Sequence, residues 1–162
     1  MSQANKSGIK YPSARLKGLK DFMAFTQEPD WKPDQVDIAL LRKLDIGKGR
    51  EGETVYALNF LGIIDSKGIP TADFDELKRD YSETLKRLVR EKYGELLKLL
   101  PLRMINQSKL VKFFGSPVET AEYQAKLFVW FCEQAEISIP NIESKFHRAR
   151  FDKQKTENFS KS

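Results

Sequence analysis

The sequence predicts a mainly helical protein, a winged-helix-like three-helix module with a small β-hairpin wing followed by a helical bundle. Three observations predict it. Apolar residues recur every three or four positions through most of residues 16–135, the period of helices that bury one face. The period breaks at residues 63–71, where Ile63-Ile64 and Ile69-Pro70 flank a polar turn. Three predicted helices precede this break, and that is the element order of a winged helix, whose hairpin lies beside the last of the three.

Taken in order, Ser13 is placed to cap a first helix with Leu16, Leu19, Phe22, Met23 and Phe25 on one side, ending near Thr26. Pro29 and Pro33 mark a loop. Asp34 then caps a second helix carrying Val36, Ile38, Leu40, Leu41 and Leu44, which stops before Gly47. A third helix begins near Glu51 and runs to Leu61 with Val55, Leu58 and Leu61 inward, and Gly62 ends it. Residues 63–71 then form the hairpin, with Gly68 where the turn tolerates a positive φ.

Beyond the hairpin, Asp73 caps a segment whose stripe of Leu77, Tyr81, Leu85, Leu88, Val89, Tyr93, Leu96, Leu97 and Leu100 reads as one long helix, terminated by Pro101. Asn106 or Ser108 opens a short helix closed by Gly115. Ser116-Pro117-Val118-Glu119 combines an N-cap serine, a first-position proline and a capping-box glutamate, opening a last helix that extends to about Ala135. Pro140 ends the periodic region. The expected organisation is a flexible basic N-terminus (1–10), the winged-helix-like module (11–72), a helical half packed on it (73–140) and a basic extended or disordered tail (141–162).

Composition narrows the function classes. At 162 residues, with 40% hydrophobic and 31% charged positions, the chain has the make-up of an ordinary soluble domain. It carries no apolar run long enough for a membrane span and no leader-like N-terminal stretch, so a cytoplasmic location is expected. Its one cysteine, Cys132, lies in an aromatic run and reads as a buried, inert thiol. The net charge of +5 belongs to the two ends: residues 1–20 hold five cations and no anion, and residues 143–162 hold six cations against three anions. Basic arms of this kind bind polyanions by neutralising phosphates, or merely keep the chain soluble.

The string Ala57-Leu58-Asn59-Phe60-Leu61-Gly62-Ile63-Ile64-Asp65-Ser66-Lys67-Gly68-Ile69-Pro70-Thr71 resembles the hallmark of the DUF5343 group, a prokaryotic family of unknown function. Tyr11-Pro12, the Arg90-x-x-Tyr93-x-x-Leu96 stretch and the helix containing Thr120-Ala121 are similar to that family too, so the resemblance spans roughly residues 10–140. It implies a winged-helix-like first half, a helical second half and no catalytic residues.

Motifs that suggest chemistry dissolve on inspection. Gly47-Lys48-Gly49-Arg50-Glu51-Gly52 matches G-x-G-x-x-G, but a dinucleotide site needs a strand before it, and a helix is predicted there. A P-loop would need Lys and then Ser or Thr where Glu53-Thr54 stands. His147, the sole histidine, has no cysteine cluster for zinc and no partners for a triad. Glu143-Ser144-Lys145 echoes a nuclease element without its acidic strand.

A non-catalytic binding role follows, with no cofactor, no metal and no membrane. One expected partner is double-stranded DNA, met by Lys48, Arg50, Thr54 and Asn59 around the third helix, by Lys67 on the wing, and by Arg148 and Arg150 in the tail. Asn and Arg suit base edges and Lys suits phosphates. Glu51 and Glu53 at the start of that helix oppose the idea. The other expected partner is a protein, including a second copy of the chain, met through Trp130 beside Tyr123 and Leu127 if that side of the helix is exposed; Tyr56 is left open between base stacking and core.

Overall fold

The computed structural model describes residue 5 and residues 8–115 and 117–142. The chain forms α1 (Leu16–Thr26), α2 (Ile38–Lys43), α3 (Glu51–Leu61), α4 (Ala72–Arg79), α5 (Tyr81–Lys92), α6 (Gly94–Leu99), a 3-10 turn (Leu102–Met104), α7 (Gln107–Phe114), α8 (Val118–Gln134) and a last short turn α9 (Pro140–Ile142). Among the described residues no helix is long and apolar enough to cross a membrane.

The first half is helical as expected, but the wing is not there. No β-strand occurs among the described residues, and the expected hairpin reduces to a single antiparallel bridge, Ile64 with Pro70. Two bonds flank it, Asp65 N–H to the Ile69 carbonyl (2.9 Å) and Thr71 N–H to that of Ile63 (3.0 Å). Three local causes stop the ladder from growing. Pro70 has no N–H to extend it. Asp65 Oδ1 takes the amides of Lys67 (2.9 Å) and Ile69 (3.0 Å), closing the loop on itself. And α3 ends at Leu61 while α4 begins at Ala72, which leaves no room for longer arms.

The loop also turns inward instead of projecting. Gly68 O accepts from Val36 N–H (2.7 Å), and Gln35 Nε2 donates to Lys67 O (2.7 Å), so the turn lies flat on the α1–α2 connector. Gly68, at φ +82, is buried there, and a Cβ on it would stand 2.4 Å from Val36 O, which leaves glycine as the residue that fits.

Several further boundaries depart from the expected ones. Helix α4 follows Thr71, so Asp73 lies in its first turn and does not cap it, and Pro117 is the N-cap of α8 and not its first helical residue. Helix α1 starts after Arg15 with no side-chain cap, so Ser13 does not cap it. Helix α2 is capped by Asp37, which accepts from Leu40 N–H (2.9 Å), and not by Asp34. The long apolar stripe is broken into α4, α5 and α6. The backbone leaves the helix at Asp80 (φ −151, ψ 87), whose carboxylate caps α5 through Glu83 N–H, and it loosens again at Tyr93 (φ −104, ψ 23). Asn106 caps α7 through Lys109 N–H (2.8 Å), as expected, and Gly115 ends it. The expected extended tail does not begin at Asn141: Asn141 and Ile142 belong to α9 and Ile142 is buried. Ser116 and residues 143–162, with His147 and the expected DNA contacts Arg148 and Arg150, lie outside the described residues.

Residues from both halves share one apolar core. Its centre is aromatic. Tyr93 stacks on Tyr11 (5.3 Å between centroids, 17° between planes) and meets Phe60 and Phe128 edge-on. Trp130 and Leu127 are buried, so the expected partner surface on that side of α8 is absent. Cys132 is buried in the same core. Helix α3 packs on α1, α2 and α5, while α8 packs on α5 and α7.

Candidate functional site

The third helix was expected to present a reading face, and its side chains are distributed differently. Its buried residues are Glu51, Thr54, Ala57, Leu58 and Leu61, whereas Val55, expected inward, is only half-buried. The rotation follows from Gly18. A Cβ at Gly18 would lie 2.7 Å from Thr54 Oγ1 and 3.2 Å from Gly47 Cα, so its absence lets α1 close directly onto that side of α3. Thr54 is therefore sealed against α1 and is not an outward-facing contact.

The remaining expected contacts are scattered. Arg50 pairs with Glu53 Oε2 (3.0 Å), which also accepts from Arg15 (3.2 Å), and the Arg15 guanidinium lies over the Tyr123 ring at 3.7 Å. Asn59 is half-buried and donates through Nδ2 to Ile64 O (3.3 Å). Lys48 and Lys67 are exposed at opposite ends of α3, and neither is in an ion pair among the described residues. Arg148 and Arg150 lie outside the described residues. Of the expected set, the structure brings together only Asn59 and Lys67.

The glycine-rich turn before α3 holds its own anion. Gly47 and Gly49 adopt positive φ, and Gly49 N–H donates to Glu51 Oε2 (3.1 Å). Backbone hydrogen bonds from Glu51 itself and from Gly49, with Arg42 nearby, hold this carboxyl below its ordinary value. The amide that would cradle a phosphate in a nucleotide loop is thus already occupied by a carboxylate of the same chain.

A concavity lies on the opposite side of α3. It is a groove of about 600 Å³ between the start of α2, the exposed side of α3 and the 65–68 turn. Val36, Ile38, Ala39, Gly52 and Val55 give it an apolar floor, with Tyr56 along one side. Ile38 and Tyr56 both line this hollow and keep 43% and 37% of their surface exposed. Asp37, Asn59, Asp65 and Lys67 form its polar edge.

Each wall is fixed by a local feature already described. Asp37 caps α2 and so places Ile38 at the first helical position, where it projects into the groove instead of joining the core. Tyr56 is held by its hydroxyl, which donates to Lys10 O, and partial burial pushes its phenol pKa up. The turn is pinned by the Val36–Gly68 bond. Sequence reasoning assigned Val36, Ile38 and Val55 to the core and missed the groove. The available signal was the Asp37-Ile38 pair, because an apolar residue directly after an N-cap has no preceding turn to cover it.

Among the described residues, no group of three or more His, Cys, Asp or Glu side chains could hold a metal ion. Comparison with protein-family models, with curated proteins and with solved structures finds no match to this chain. The likeness to the DUF5343 group therefore rests on the residues quoted for it.

Proposed function

We propose that this chain is a cytoplasmic, non-catalytic binding protein that works through protein contact, with the α2–α3 groove taking a peptide segment that carries a large apolar side chain. The observation that supports this reading most is the exposed apolar floor between Ile38 and Tyr56. A hollow lined this way gains about 25 cal/mol for each Å² of apolar surface it removes from water, and its polar edge offers hydrogen bonds that fix register. Hydrogen bonds hold the turn and Tyr56 in place, so little ordering cost falls on binding.

The test is selection of a randomised displayed peptide library on the full chain, followed by affinity measurement on Ile38→Asp. Aspartate at the first turn of α2 suits the helix dipole, so the variant should fold. Selected peptides should bind the variant at least about tenfold more weakly, since the loss of a buried isoleucine contact amounts to about 1.4 kcal/mol or more. Equal affinity for both proteins would defeat the reading.

A second reading, association with double-stranded DNA, is favoured by Lys48 and Lys67, exposed cations outside any ion pair among the described residues. It requires binding of random duplex DNA at low salt with a slope that falls by about one for each lysine replaced by alanine. No binding at low salt removes it.

A further inference from the structure

We infer that the α2–α3 groove is the docking site of this chain's own basic C-terminal segment, residues 143–162, bound in cis. The inference rests on the peptide-binding reading above and names the groove's resident occupant.

Two features match groove and segment. The first is charge. Asp37 and Asp65 stand on the groove's edge and exposed Asp34 lies just before Val36, against Lys67 on the same edge and Lys10, whose ammonium lies 5.6 Å from the Tyr56 ring. The segment carries Lys145, Arg148, Arg150, Lys153, Lys155 and Lys161 against Glu143, Asp152 and Glu157. Carboxylates already fixed by capping and turn bonds attract such a segment without being ordered on binding.

The second is the anchor. The same segment holds Phe146, Phe151 and Phe159, each next to a basic or polar residue, and the floor formed by Val36, Ile38 and Val55 is apolar and open. An aromatic side chain in an apolar hollow with cations at an acidic edge is the usual division of labour in peptide recognition. Reach is sufficient. Twenty residues extend to roughly 65 Å, and a compact body of this length is only about 40 Å across.

The experiment uses the full chain with Ser160→Cys, spin-labelled at that position, since Cys132 is buried. Methyl NMR then reads line broadening at Ile38 and Val55. The expected result is broadening of these two methyls beyond that of other surface methyls, independent of protein concentration. It should weaken at least about threefold at 0.5–1 M salt, where screening shortens the reach of charge to a few Å. Asp37→Asn with Asp65→Asn should weaken it similarly, because the amide oxygen keeps the cap and the turn but loses the charge. Replacing Phe146, Phe151 and Phe159 by Ser should abolish it.

No preferential broadening at Ile38 and Val55 overturns the inference. So does broadening that appears only between a spin-labelled chain and a separate isotope-labelled chain, which would assign the segment to a second copy. If the segment is absent from the groove while selected peptides still bind in an Ile38-dependent way, only the occupant is wrong. If both fail, the peptide-binding reading fails with it.

Discussion

Tyr93 is fully buried among aromatic rings, and its hydroxyl has no hydrogen-bond partner among the described residues; the same holds for the hydroxyl of Tyr11 stacked on it. Burial raises both phenol pKa values, that of Tyr93 well above 10.0. A buried polar atom without a partner costs about 1–3 kcal/mol, so Tyr93→Phe, which keeps the ring contacts, should stabilise the protein by about 1–2 kcal/mol. Urea denaturation gives the check: a higher midpoint at unchanged slope is expected, and a lower one would show that the hydroxyl has a partner in solution. At this scale the sequence was legible where a residue's role is intrinsic, as for buried Cys132 and Phe131. It was not legible for Thr54, whose direction depends on a missing Cβ two helices away at Gly18.

Among the elements, three helices end by one device. At the ends of α2, α3 and α8 the residues Asp45, Gly62 and Glu136 take positive φ, and the following isoleucine donates back to the carbonyl five residues earlier: Ile46 to Leu41, Ile63 to Leu58 and Ile137 to Cys132. Each of these isoleucines is buried, so the stop is bonded and packed at once. Only Gly62 occupies the left-handed position without steric cost. Glu136→Gly should therefore stabilise the protein by about 0.5–1 kcal/mol, read as a rise in thermal or urea midpoint. A fall would mean that the glutamate side chain compensates for its backbone strain. The glycine stop was visible in the sequence, as were the bounds of α3 and the Asn106 cap of α7. The acidic stops at Asp45 and Glu136 carry no comparable signal, because tertiary burial of the next isoleucine is what makes them worthwhile.

Over the whole molecule, one core draws on both halves, and its titratable groups set how stability depends on pH. Tyr11, Tyr56, Tyr81 and Tyr93 all have raised pKa values, chiefly through burial, and Tyr81, which donates to Gln134, is pushed up to about 12. Below the ordinary value of 10.0 these phenols are neutral whether folded or not and add no pH dependence. Above it the unfolded chain ionises first, so stability falls by up to about 1.4 kcal/mol per pH unit for each of Tyr11, Tyr81 and Tyr93 until the folded pKa is passed, and by less for Tyr56, whose exposed ring is screened by solvent. On the acid side, the lowered Glu51 pKa contributes stability above the ordinary value of 4.5, and this is lost as pH falls through the lowered value. Urea midpoints measured from about pH 3 to pH 11 should thus hold a plateau and decline at both ends, with the alkaline decline tracking tyrosinate absorbance; a flat alkaline limb would contradict the burial of these phenols.

The sequence by itself determined a helical protein, the bounds of α3, the stops at Thr26, Gly115 and Ala135 and the place of the break after α3, because capping, glycine stops and apolar period act over only a few residues. Tertiary structure decided what that interruption became. Its arms are too short to pair, Pro70 cannot extend them, and Gly68 bonds to Val36, so a would-be wing became one wall of a groove. It likewise split the long apolar stripe, because Phe74 on α4 packs against Trp31 while α5 packs on α8, and one straight rod cannot serve both directions.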